Sequence, residues 1–159
     1  MGEAWFEAHI FRANVHAATE FAKSLHASLN NDTMVITPVP FSAPGWSQPE
    51  YLAFWETLIR TRIKAVCFNL NWEFSNGCTF ELAVALDSGV STFDHLGNPL
   101  SLQKAIQSVE KAIHQLSDEE FDTLKLRENL DRLHAAHVHA DKDPAAHFFP
   151  GKSSSYLPR

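Results

Sequence analysis

Apolar positions recur with a helical period over residues 13–29. Val15, Ala18, Ala22, Leu25 and Leu29 fall on one face there, and Glu20, Lys23 and Asn30 lie off it. Asn30-Asn31-Asp32 breaks the pattern. The next run, Thr33-Met34-Val35-Ile36-Thr37, predicts a short buried strand, ended by Pro38 and Pro40 because proline cannot donate to a sheet ladder. A Pro-, Gly- and Ser-rich loop covers residues 41–47. Ser47 and Glu50 then form a capping-box pattern with Pro49 in the first turn, predicting a helix to about Arg62. Residues 63–70, apolar around Val66, Cys67 and Phe68, read as a second strand. A turn over residues 71–77 leads to a helix from about Cys78 to Asp87, which Gly89 ends. Val90-Ser91-Thr92-Phe93 supplies a third strand. Leu102, Ile106, Val109, Ile113 and Leu116 mark the buried stripe of a helix over residues 101–116. Ser117-Asp118-Glu119-Glu120 is a second capping box, predicting that a last helix starts there and runs to about His137.

Strands alternating with helices predict an α/β fold with a mostly parallel sheet covered on both faces, a Rossmann-like or flavodoxin-like three-layer arrangement. The long C-terminal helix is an addition to it. Trp5-Phe6-Glu7-Ala8-His9-Ile10-Phe11 is the segment left to serve as an opening strand, without the usual glycine-bearing loop into the first helix. The expected organisation is one domain over residues 1–140 and an extended tail over residues 141–159, where Lys142-Asp143-Pro144 and Gly151-Lys152-Ser153-Ser154-Ser155 stand.

Composition narrows the partners. In 159 residues, 13 Lys and Arg stand against 19 Asp and Glu, a net charge of -6. That balance argues against a nucleic-acid binder, which carries a basic face, and against an anionic membrane surface. Small molecules and other proteins remain. No apolar run approaches the roughly 18 residues of a transmembrane helix, and the N-terminus lacks the basic start and apolar stretch of a signal peptide. With Cys67 and Cys78 the only cysteines, a disulfide framework is not indicated, and a cytoplasmic setting is the expectation.

Ligands of an open parallel sheet bind beyond the carboxyl ends of its strands, where the segment after the second strand lies. Ser75, Asn76 and Gly77 open the following helix. They read either as an ordinary N-cap or as a phosphate cradle built from free backbone N–H groups. Glu81 lies four residues further on, among Phe80, Leu82, Ala83, Val84, Ala85 and Leu86. Its helical neighbours Gly77, Cys78, Val84 and Ala85 include no base, so no local ion pair accounts for it. Such a carboxylate is either turned to solvent or held for chemistry.

The segment from Trp72 to Ala85 resembles the nucleoside 2-deoxyribosyltransferase superfamily, which includes deoxynucleoside 5′-monophosphate N-glycosidases. The shared pattern is S-x-G-x-x-x-E-x-x-x-A after a central strand, here Ser75, Gly77, Glu81 and Ala85. Val35-Ile36-Thr37-Pro38 is similar to the family's strand end after the first helix, and the resemblance spans residues 13–93. It implies that Glu81 is the nucleophile on the anomeric carbon of a deoxyribose and that Ser75 holds the sugar's 5′ group, most simply a phosphate. An oxocarbenium-like centre is stabilised by a carboxylate, which can also trap it covalently. Glu56 stands nearest to the family's second acid, and Arg12 is placed for a phosphate contact. The family's aspartate before the central strand is replaced by Lys64. Neither a metal nor an organic cofactor is implied. Family members commonly complete their sites across subunits, so a homo-oligomer is expected, with the C-terminal helix as candidate interface. The rival reading is a catalytically silent nucleotide-binding or scaffold protein with the same fold.

Trp46 and Trp72 are candidates to stack on a nucleobase, whereas Phe54 and Trp55 read as core or interface. His134, His137 and His139, with His147 beyond, read as a solvated helix end rather than a metal site. Asp94 and His95 read as turn residues.

Overall fold

The computed structural model describes residues 12–29, 32–38 and 43–136. The expected opening strand and the C-terminal tail lie outside these residues, as do His137, His139 and His147. The chain divides into two compact units, Met1–Trp46 and Ser47–Arg159.

The first unit contains α1, Arg12–Ser28. Its half-buried positions include Val15, Ala18, Ala22 and Leu25, the stripe set by the helical period, while Glu20 and Lys23 are exposed and paired at 2.8 Å. The strand expected at residues 33–37 is not formed. Apolar side chains alternate outward there, with Met34 80% and Ile36 44% exposed, and no described strand of this unit offers a ladder to stabilise an extended segment.

The second unit opens with α2, Gln48–Arg62. The Ser47 N–H and hydroxyl both donate to the Glu50 carboxylate, at 2.6 and 2.7 Å. Then come β1 (Ala65–Cys67), a 3-10 turn (Trp72–Phe74), α3 (Asn76–Asp87), β2 (Ser91–Phe93), α4 (Leu102–Asp118) and α5 (Leu124–Ala135). β1 and β2 are parallel, with Ala65 opposite Ser91 and Cys67 opposite Phe93. The described sheet has these two strands, each shorter than the apolar run that announced it. β1 is followed by Asn71, which takes a left-handed φ of 64° and starts the 3-10 turn.

Helix ends account for the largest boundary error. α3 stops as expected: Gly89 adopts a φ of 67°, its N–H donates to the Leu86 carbonyl, and the Val90 N–H donates to that of Ala85. The same motif closes α4, but with a residue other than glycine. Glu120 is left-handed at 60°, with bonds from Glu120 to Ser117 and from Phe121 to Leu116. Thus Ser117-Asp118-Glu119-Glu120 is the end of α4 rather than the capping box of the next helix, which starts after Thr123.

The main core joins Phe68, Trp72, Leu82, Ala83, Leu100, Val109, Ile113, Leu126 and Leu133. A second cluster of Ile59, Phe80, Val84 and Ala85 lies against α2. α3 contributes to both. No helix among the described residues is long and apolar enough to cross a membrane. Leu133 is fully buried on α5, so Leu133→Ala is expected to cost about 2–5 kcal/mol in a denaturant melt. A loss below about 1 kcal/mol would show that α5 does not close this core.

Candidate functional site

The connection from β1 into α3 places the first turn of that helix at the carboxyl edge of the parallel pair, where open α/β sheets present ligands. Ser75 is the N-cap. Its Oγ accepts from the Cys78 N–H at 3.3 Å, and its carbonyl accepts from the Thr79 N–H at 2.9 Å. Asn76 and Gly77 complete the turn. A methyl group built on Gly77 would meet only Ser75 Oγ, at an ordinary 3.9 Å. The glycine is therefore not demanded by packing, and the space beside Ser75 is uncrowded. Gly77 and Glu81, four residues apart, share one strip of the helix.

Glu81 is half-buried. Among the described residues its carboxylate makes neither a hydrogen bond nor an ion pair, and burial pushes its pKa up from 4.5 to about 7. Its surroundings explain this. α3 buries Thr79, Phe80 and Leu82 to Ala85 around it, so water is removed without a cation being supplied. Cys78, one turn back, is pushed up to about 11, chiefly by burial. The Ser75 hydroxyl opposes that shift and the Glu81 charge adds to it. Cys67 is likewise raised to about 11 by burial. Both thiols therefore stay protonated near neutrality.

The other residues singled out from the sequence stand on other elements. Trp72 does not face a ligand space: it is 6% exposed and its ring lies 5.6 Å from that of Phe68, inside the main core. Glu56 is held by a cation and makes no hydrogen bond to Glu81. Its carboxylate accepts from Arg60 Nε at 2.9 Å, and Arg60 Nη1 reaches Asp87 and Ser88 at the far end of α3, each at 2.9 Å. Glu56 thus belongs to a clamp between α2 and α3. Arg12 begins α1 and Trp46, 40% exposed, ends the first unit; the Arg12 side chain lies outside the described atoms. Phe54 and Trp55 meet edge to face at 5.2 Å.

Asp94 is a turn residue, as read from the sequence. Burial alone would raise its pKa, but bonds from Asn98, through both backbone and side chain, and from the Leu96 N–H outweigh it and hold the group low. His134 is exposed on the last turn of α5. A groove of about 330 Å³ between α4 and α5 is lined by Glu110, Ile113, His114, Ser117, Asp118, Arg127 and Leu130. It contains none of the residues around Glu81.

Two residues near the site were not picked out from the sequence. Asn129 on α5 donates from Nδ2 to the Asn76 carbonyl and to Thr79 Oγ1, both at 2.9 Å. Arg132 lies over the Phe80 ring at 4.9 Å. The signal for Asn129 was present: it stands between Leu126 and Leu133 on the apolar stripe of α5, where an amide needs a buried partner.

Comparison with protein-family models, with curated proteins and with solved structures finds no match for this chain.

Glu81 makes stability depend on pH. Its folded pKa lies above the unfolded value, so its contribution is complete below pH 4.5 and is lost as pH rises through about 7. Glu81→Gln stays neutral. It is expected to exceed the parent by about 1–2 kcal/mol at about pH 8, a figure reduced for partial exposure, and to converge with it as pH falls toward 4.5. Thermal melts across that range check this, and a parent as stable as the variant at the alkaline end would contradict it.

Proposed function

We propose that this chain cleaves or exchanges the N-glycosidic bond of a deoxynucleoside or deoxynucleoside 5′-monophosphate, with Glu81 as nucleophile. The observation that carries the reading is the half-buried, unpaired Glu81 carboxylate, one turn behind an uncrowded helix N-terminus at the carboxyl edge of the parallel pair. The sequence pattern Ser75, Gly77, Glu81 and Ala85 supports it by resemblance. The Rossmann-like or flavodoxin-like three-layer architecture, a homo-oligomeric state and a cytoplasmic setting belong to the same proposal.

In this reading a carboxylate oxygen of Glu81 bonds to C1′ as the C1′–N bond breaks. The electron pair leaves with the base, which takes a proton from solvent. Water or a second base then displaces the carboxylate, giving free sugar or a new nucleoside. Ser75 and the free N–H groups of Asn76 and Gly77 receive the 5′ substituent, favoured by the positive end of the helix. Attack needs the ionised carboxylate, so turnover should rise with pH through the pKa of Glu81, about 7.

The second reading, a catalytically silent nucleotide-binding or scaffold protein, is favoured by one observation: Glu56, the candidate acid, is ion-paired with Arg60. Incubation with a panel of deoxynucleosides and their 5′-monophosphates, with and without acceptor base, separates the two. Base release that rises toward alkaline pH and disappears in Glu81→Ala is the expected result. Ligand-dependent thermal stabilisation without release would instead establish the binding protein. Gly77→Ala is expected to keep or raise stability, by up to about 1 kcal/mol, while weakening binding of the 5′ substituent. A variant with unaltered KM would remove Gly77 from the site.

A further inference from the structure

α5 packs on the core through Leu126, Leu130 and Leu133, and one position of this stripe is an amide. Asn129 is 6% exposed. Its Nδ2 donates at 2.9 Å to the Asn76 carbonyl and at 2.9 Å to Thr79 Oγ1. Thr79 is fully buried, and its hydroxyl turns back to the Ser75 and Asn76 carbonyls at 3.0 and 3.1 Å. If packing were all that position 129 supplied, a further leucine would serve. A buried amide carries a desolvation cost that is offset only where its protons find acceptors. Both acceptors here belong to the opening turns of α3, the part that Ser75 caps and that leads into Glu81. The network ties a distant helix to that end alone; the other end is held separately by Arg60.

We propose that Asn129 is a positioning residue for Glu81: by bonding α5 to the opening turns of α3, it keeps that end of the helix wound and dry and so fixes the stance of the carboxylate. The role rests on Glu81 being the reacting group of the proposed glycosyl chemistry. Asn129 acts through Asn76 and Thr79 and makes no demand on substrate. If the contact is lost, the opening turns fray, water reaches Glu81, and the burial that perturbs the carboxylate is relieved.

The test compares Asn129→Leu, and Asn129→Ala should the leucine variant not fold, with Val109→Ala, a core truncation on α4 that removes no polar bond. Hydrogen exchange on the full chain reads the amides of Cys78, Thr79 and Phe80, and a carboxyl-carbon NMR titration reads Glu81. At matched global stability, the Asn129 variants are expected to exchange these amides at least about tenfold faster than Val109→Ala. The Glu81 midpoint should fall from about 7 toward 4.5 in the Asn129 variants and hold in Val109→Ala. Exchange no faster than in Val109→Ala overturns the proposal, and so does a Glu81 midpoint that stays put. Neither measurement uses substrate. Failure of the glycosyl reading would appear as absent base release in the parent, a separate result.

Discussion

α3 is enclosed on most of its circumference, and the arrangement of the second unit follows from satisfying it. Thr79, Phe80, Leu82, Ala83, Val84 and Ala85 are all buried, so one amphipathic stripe cannot describe this helix. It needs cover from several directions at once. α2 supplies Ile59, α4 supplies Val109 and Ile113, α5 supplies Leu126 and Leu133, and the residue after β1 supplies Phe68. A helix with so little solvated surface has few places for a charge. Glu81 occupies one of them without a partner, and its raised pKa is a direct consequence of that enclosure.

The two ends of α3 are anchored by different chemistry. At the C-terminal end Arg60 links Glu56 to Asp87 and Ser88, an exposed network whose worth in free energy is small and salt-dependent. At the N-terminal end the anchor is a buried set of neutral hydrogen bonds through Asn129, where a lost partner leaves polar groups stranded away from water. The second kind of tie is stiffer. It stands beside the residues that the proposed chemistry uses, so geometry there is held by the interior rather than by surface charge.

Read along the chain, the apolar period and the turn residues revealed most helices: α1 and α4 each turn one stripe away from solvent, and α2 opens on its capping box. The failures share a cause. The run at residues 33–37 has the composition of a strand, but a strand exists only with a ladder partner, and that partner is not a property of the segment. Ser117 to Glu120 has the composition of a helix start and serves as a helix end, because Glu120 takes a left-handed conformation that propensity assigns to glycine. Trp72 and Glu56 were plausible site residues by position. Packing against Phe68 buries the first, and the second carries an ion pair with Arg60.

Local order in the sequence determined that Ser75 caps one helix and that Gly77 and Glu81 stand on its neighbouring turns, since four-residue spacing places two positions on one face whatever the rest of the chain does. It also determined that Glu81 has no base within reach on its own helix. Whether the carboxylate would be solvated or enclosed was decided by tertiary structure, because desolvation is the sum of what α2, α4, α5 and the strands bring around α3. Asn129 makes the same point from the other side: its residue type announced a need for partners, and only the fold chose Asn76 and Thr79.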